Sequence, residues 1–217
     1  MPGSNKFLIF FFPFLIVVAF HEAQAQAFKK GSHYLNTGLG IGGYNSTTQI
    51  GEKVFEKGAG SLLLPINYEY GLLNQVGMGL QFQRGRYFFG DTARSEKIIS
   101  NSFLISNTLH FLNNEFIDLY FGISYGLSSY NSRSLDKAEN EILMKGLGFS
   151  YFVYSGIKVY FTSKMGIFIG INYNNLSYEI NTYQINYHNQ FELARNNYNI
   201  NYTGINIQGG FAILLSK

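Results

Sequence analysis

The stretch DLYFGISYGLSS, Asp118 to Ser129, sets Leu119, Phe121, Ile123, Tyr125 and Leu127 at every second position, with Tyr120, Gly122, Ser124, Gly126 and Ser128 between them. Successive side chains of a strand point to opposite faces, whereas a helix would scatter both sets around its axis, so this stretch reads as a β-strand with one apolar face. One strand does not reveal which solvent that face meets. The rest of the chain bears on it.

Seven further segments repeat the pattern. Tyr34–Gly43 sets Leu35, Leu39 and Ile41 against glycines, and Ser61–Tyr70 sets Leu62, Leu64, Ile66 and Tyr68 against Ser61, Asn67 and Glu69. Gln75–Tyr87, Ile98–Leu112, Leu147–Phe161, Met165–Tyr178 and Gly204–Leu215 follow, with Leu104 and Asn107 out of step in the second of these. The connections alternate in length. Gly71–Asn74, Asn113–Ile117 and Thr162–Lys164 are short; Tyr44–Gly60, Tyr130–Gly146 and Glu179–Thr203 are long; Phe88–Lys97 is intermediate. All short turns thus fall on one end of a meander, as in outer-membrane barrels, which have short periplasmic turns and longer extracellular loops.

Charge points the same way. Only 13% of the residues are charged, about half the soluble average of roughly 25%. Within the strands so drawn the reading places only Glu69, Arg84, Arg86 and Lys158. A Lys or Arg facing lipid near mid-bilayer costs about 2–4 kcal/mol, which accounts for the exclusion. Arg84 shares the apolar parity but lies at the long-loop end of its strand, where that cost falls toward zero.

The composition removes other classes. A net charge of +3 with dispersed basic residues gives no electrostatic footprint for nucleic acid. With no Cys there is no disulfide frame, no thiolate metal site and no lipid-modified cysteine. Lys6, the apolar run Phe7–Phe20 and Ala23-Gln24-Ala25 read as a secretory signal over residues 1–25, cleaved before Gln26; residues 26–217 form the mature barrel domain. The run is shorter than a spanning helix and is interrupted by Pro13.

On these residues the chain resembles eight-stranded outer-membrane β-barrels of the OmpA-like and OmpX-like kind, and its signal junction and Asn- and Tyr-rich loops are similar to PorT-like barrel proteins of Bacteroidetes. Gly209-x-Phe211-x-Ile213-x-Leu215 resembles the alternating last-strand signal of such barrels, although the chain ends Leu215-Ser216-Lys217 rather than on an aromatic residue. The resemblance implies insertion from the periplasm and residence in the bacterial outer membrane, and it implies no activity. The expected fold is therefore all-β: a closed antiparallel up-and-down transmembrane β-barrel of eight strands, or ten if the last loop holds another hairpin.

Eight strands leave an interior that side chains just fill. Gly122, Gly156 and Gly170 among Tyr120, Phe152, Tyr154, Tyr160 and Phe168 predict a plugged or very narrow lumen rather than a diffusion pore. Glu69, His110, Tyr120 and Lys158 share the inward parity and lie near short turns, so they are expected at one depth as a buried polar cluster. A proton-transfer or gating site is the sharper reading of such a cluster; a charge-matched structural network is the plainer one and is preferred. Arg84, Arg86 and Lys97 form a candidate rim for lipopolysaccharide phosphates, with a solvated rim as the bland alternative.

No catalytic, metal or cofactor residue is assigned. His188 with Glu192 is an unsupported catalytic pair in the last loop, and the Gly38–Gly42 run lies inside a strand rather than opening a helix. The functional expectation is a non-enzymatic outer-membrane barrel whose long loops serve adhesion, partner binding or envelope integrity. Its expected partners are outer-membrane lipid, lipopolysaccharide and an extracellular or envelope protein. An accessory subunit of a secretion or transport complex is the alternative, and a secreted lipocalin-like calyx, with apolar residues inside, a more distant one.

Overall fold

The computed structural model describes residues 28–90, 97–135, 140–185, 189–191 and 198–216. The expected signal segment, its cleavage site, His188 and Glu192 lie outside the described residues. Nine strands run β1 His33–Ile50, β2 Lys53–Gly71, β3 Val76–Phe89, β4 Lys97–Asn113, β5 Ile117–Leu135, β6 Glu141–Tyr160, β7 Met165–Ile185, β8 Asn189–Phe191 and β9 Tyr198–Ser216. Each pairs antiparallel with its sequence neighbour from β1 to β7; β9 pairs with β7 and with β1, so eight strands close into a ring. The three-residue β8 pairs only with Tyr183–Ile185 of β7. It is a strand of the loop, which leaves the barrel at eight staves rather than ten.

The predicted faces hold through the lower part of the ring. Leu127 is 71% exposed and Leu80 65%, while Ser106 and Ser124 are buried. On β9 the exterior apolar residues run from Ile205 to Leu215; at about 3.3 Å per residue and a tilt near 40°, they rise roughly 25 Å, the height of a hydrocarbon band. Both residues that broke the pattern on β4 are resolved by parity: Leu104 is buried inside and Asn107 stands on the outer face. A second polar residue on that face, Ser155, donates its hydroxyl to the Tyr120 carbonyl at 3.1 Å, as a polar group in lipid must.

The long loops require correction. Tyr44–Gly60 is a hairpin whose strands pair to Ile50 and Lys53, turning at Gly51 with φ 59°. Likewise, β5 and β6 pair to Leu135 and Glu141, and β7 and β6 pair to Ile185 and Ile142. The extra length stands at one end, as the loop lengths imply, but most of it is strand. In consequence Lys53, Glu56, Lys57, Lys97, Arg133, Glu141, Lys145 and Glu179 are strand residues, and charge is excluded from the belt rather than from strands as such. Asp118, also a strand residue, faces inward.

Above the belt the inside-outside polarity inverts. On β9, Ile200 and Tyr202 are buried inside, whereas Ile205, Ile207, Phe211 and Leu215 face out. On β7 the same change falls between Tyr173, outside, and Leu176, Tyr178 and Ile180, inside. Together with Tyr44, Tyr87, Ile98 and Tyr130 these residues form a compact aromatic core inside the outer part of the barrel. Segments with water on their outside need their apolar side chains within, so the inversion marks where the belt ends.

Candidate functional site

Between the short turns and the aromatic core, the lumen is filled in layers. Low in the barrel is a closed ring of four charged side chains contributed by four strands. From the β4 imidazole, His110 Nε2 lies 3.0 Å from Glu69 Oε1 on β2, and Nδ1 lies 2.7 Å from Asp118 Oδ1 on β5. Lys158 Nζ on β6 completes the ring at 3.3 Å from Glu69 Oε2 and 3.4 Å from Asp118 Oδ2. All four side chains are at most 2% exposed. Ionised carboxylates only accept, so with both ionised each imidazole nitrogen donates and the ring holds two negative and two positive charges. That balance is what a narrow, low-dielectric lumen requires.

Local sequence features place these groups. Gly77 faces Glu69, and a Cβ there would collide with its carboxylate. Asp118 and Lys158 are direct cross-strand partners on β5 and β6. A bulge between His110 and Leu112 turns both Phe111 and Leu112 outward and swings Asn113 into the lumen, the usual use of an extra residue in a strand. The Asn113 side chain then holds the amino-terminal lead: Phe28 N–H donates to Asn113 Oδ1 at 2.8 Å, and Asn113 Nδ2 donates to the Phe28 carbonyl. Gly31, with φ 82°, turns the lead under the barrel, where its N–H bonds the Gly71 carbonyl at 2.8 Å.

The Phe28 ring lies against His110, centroids 3.6 Å apart and nearly parallel. Lys158 Nζ sits 5.0 Å from the Tyr120 ring, 5.5 Å from Tyr34 and 6.0 Å from Phe28. The ammonium is thus paired on one side and faced by aromatic rings on the other, a favourable setting for a desolvated cation. With Tyr160, Ala212 and Leu214, Phe28 and Tyr34 form an apolar floor beneath the ring.

Of the four residues assigned to the cluster, Glu69, His110 and Lys158 are in direct contact, and Tyr120 is a neighbour through its ring. Two further participants lie outside the expected cluster. Asp118 opens the quoted stretch with the same parity as Tyr120, so parity alone was enough to find it. Phe28 had no such signal, because it lies ahead of the first strand and reaches the ring only through Asn113.

Above the ring is a cavity of ≈ 50 Å³ bordered by Asn36, Asn67, Gln81, Tyr154 and Lys158, room for about one or two waters. Higher, side chains bond across the lumen: Ser124 to Gln81 at 2.6 Å, Gln208 to Gln83 at 2.9 Å and Asn172 to Asn206 at 2.9 Å. Predicted large-small meshing is present, with Tyr154 over Gly122 and Tyr120 over Gly156. The tyrosine core closes the upper lumen, Tyr87 and Tyr202 standing 4.6 Å apart and the Tyr178 hydroxyl 2.5 Å from Ser100 Oγ.

Arg84, Arg86 and Lys97 are exposed on the exterior, at the upper edge of the belt. Arg84 donates to Asn101 Oδ1 at 3.4 Å. The pairing registers put Arg86, Ile99, Asn131 and Lys145 on one row across β3–β6, and Lys97 opposite Arg133 one row higher. The three assigned residues therefore belong to a basic band of five, in which Arg133 also pairs with Glu141 at 2.8 Å.

Among the described residues no group of His, Asp and Glu offers a metal site. Lys158 Nζ stands between the two carboxylates where a cation would otherwise sit.

No family model and no curated protein matches the chain. Solved structures do. The outer membrane protein OprG from Pseudomonas aeruginosa aligns with 90% of this chain and 100% of its own at 11% identity and a TM-score of 0.55. The outer membrane protease OmpT from Escherichia coli aligns over 85% of this chain and 97% of its own at 12% identity and a TM-score of 0.50. The attachment invasion locus protein Ail of Yersinia pestis aligns over 85% and 99% at 13% identity, with a TM-score of 0.42. At these identities the likeness concerns the fold and none of the activities. Joined to the apolar belt, that fold is an eight-stranded β-barrel of the bacterial outer membrane.

Proposed function

We propose that this chain is a non-conducting, non-enzymatic outer-membrane barrel that presents its long hairpins to partners outside the cell, in adhesion, partner binding or envelope integrity. The observation that carries this reading is a lumen filled at both ends, by the charged ring with Phe28 below and by the tyrosine core above. A filled lumen leaves the surface as the working part. The described histidines also support a non-catalytic reading: His110 is locked in the ring and His33 Nδ1 lies 2.6 Å from the Tyr68 hydroxyl, both at the short-turn end.

Reconstituted in planar bilayers, the protein is expected to show no steady conductance steps; regular steps would end the non-conducting reading. The absence of native Cys makes topology equally direct. Glu52→Cys at the first hairpin tip should react with a membrane-impermeant maleimide on intact cells, and Asn74→Cys at the opposite end should not. The reverse result would put the hairpins in the periplasm. Recovery of a stoichiometric envelope partner would favour an accessory subunit instead.

The basic band supports a second contact, with lipopolysaccharide phosphates, since Arg forks suit phosphate oxygens and the band lies at the belt's upper edge. Changing Arg84, Arg86 and Lys97 together to Gln is expected to lower the lipopolysaccharide retained through purification. Unchanged retention would leave a solvated rim.

A further inference from the structure

The inner faces of the outer hairpins enclose a cup of ≈ 270 Å³ above the tyrosine core. Its wall is ordered by register: Tyr202, Ser46 and Lys57 lie on one row across β9, β1 and β2, and Ile200, Thr48 and Phe55 on the next. Phe89 of β3, beside Lys57, Tyr130 of β5 and Met144 of β6 complete the lining. Two features set the cup apart from an ordinary wetted surface. Phe55 is 51% exposed and Ile50 44% exposed although both face inward above the belt, where neither lipid nor packing accounts for an uncovered apolar side chain. In addition, the described lining carries one charge, Lys57, whose Nζ lies 5.9 Å from the Phe89 ring centroid and forms no ion pair among the described residues.

We infer that this cup is a binding site for a small amphipathic organic anion, an aromatic or short aliphatic carboxylate whose apolar body rests on Phe55, Ile200 and Tyr198 and whose carboxylate meets Lys57. The volume is near the lower end of the range for small-molecule sites, and the lining is of their kind, mostly apolar with few polar groups, at the mouth of a barrel. Charge complementarity favours the anion: the described lining carries one ammonium and no carboxylate, so a ligand cation meets the repulsion of Lys57 with only ring faces to offset it, and an uncharged ligand has only the apolar wall. Ser46 and Thr48, one row apart beside Lys57 and Phe55, supply hydroxyls that can donate to the second carboxylate oxygen.

The inference rests on the reading that the hairpins stand outside the membrane, which the maleimide experiment tests separately. The cup itself is tested with the full barrel in lipid nanodiscs, following the Met144 methyl resonance during titration with 3-phenylpropanoate, its neutral amide and 3-phenylpropylamine, with empty nanodiscs as blank. The acid should give a saturable shift, the amide about tenfold weaker binding and the amine none. Lys57→Gln should reduce acid binding to the level of the amide. Ser46→Phe, which fills the cup without touching the charge, should abolish the response to both while the protein keeps its heat-modifiable gel mobility. Equal affinity for the three probes, an acid response unchanged in Lys57→Gln, or no saturable shift with the acid would each overturn the proposal.

Discussion

The belt and the outer extension of this barrel are made from the same eight strands with the same two-residue period, yet they are opposite in phase. In the belt Ile167, Ile169 and Ile171 of β7 face out and Asn172 faces in. A few residues further along the same strand Leu176, Tyr178 and Ile180 face in. The strand has not slipped; the solvent on its outside has changed from hydrocarbon to water. The comparison teaches that alternation reports a strand, whereas the phase of alternation reports its surroundings. A calyx-like pattern and a membrane-barrel pattern are therefore not exclusive alternatives here, because each describes one part of the molecule.

The two parts are also filled by different physics, and substitutions separate them. The largest effect is expected from Lys158→Met, which leaves Glu69 and Asp118 sharing one cation in the buried ring. Unfolding by denaturant from lipid vesicles should show a loss of about 3–5 kcal/mol, partly restored by adding Glu69→Gln. A loss under about 1 kcal/mol would mean that water reaches the ring. Next, Ile169→Arg on the belt exterior should cost about 2–4 kcal/mol in the same assay.

Inside the extension, packing of the aromatic rings is expected to outweigh their hydrogen bonds. Tyr178→Phe keeps the ring and loses the hydroxyl with its bond to Ser100, so its cost should be near 1 kcal/mol. Smallest of all, Asn45→Lys on the exterior of the extension should change stability by no more than about 0.5 kcal/mol. If Asn45→Lys matched Ile169→Arg, the extension would lie in lipid and the comparison would fail.

Much of this was legible in the residues, and the failures have physical causes. The belt strands stood out because one face meets lipid and the other a polar lumen, which gives maximal contrast. The hairpin strands Thr47–Ile50 and Lys53–Glu56 look like loop in the sequence because neither face of a strand in water must be apolar, so hydropathy loses its period while the backbone keeps its ladder. Asp118 is legible by parity alone. By contrast, the Asn113 contact with Phe28 depends on a bulge at Phe111 that inverts the parity of the strand end, and alternation carries no mark of it.

What the sequence by itself determined is the side of the wall on which each belt residue stands, since a period of two allows one choice per strand and the missing charges select it. Which inward residues meet was decided only by the tertiary structure. Glu69 and Lys158 are 89 positions apart and Phe28 and Asn113 are 85 apart, and no local propensity relates them. Their contacts follow from the register of each strand pair and from closure of β9 on β1, which set the heights at which side chains face one another across the lumen.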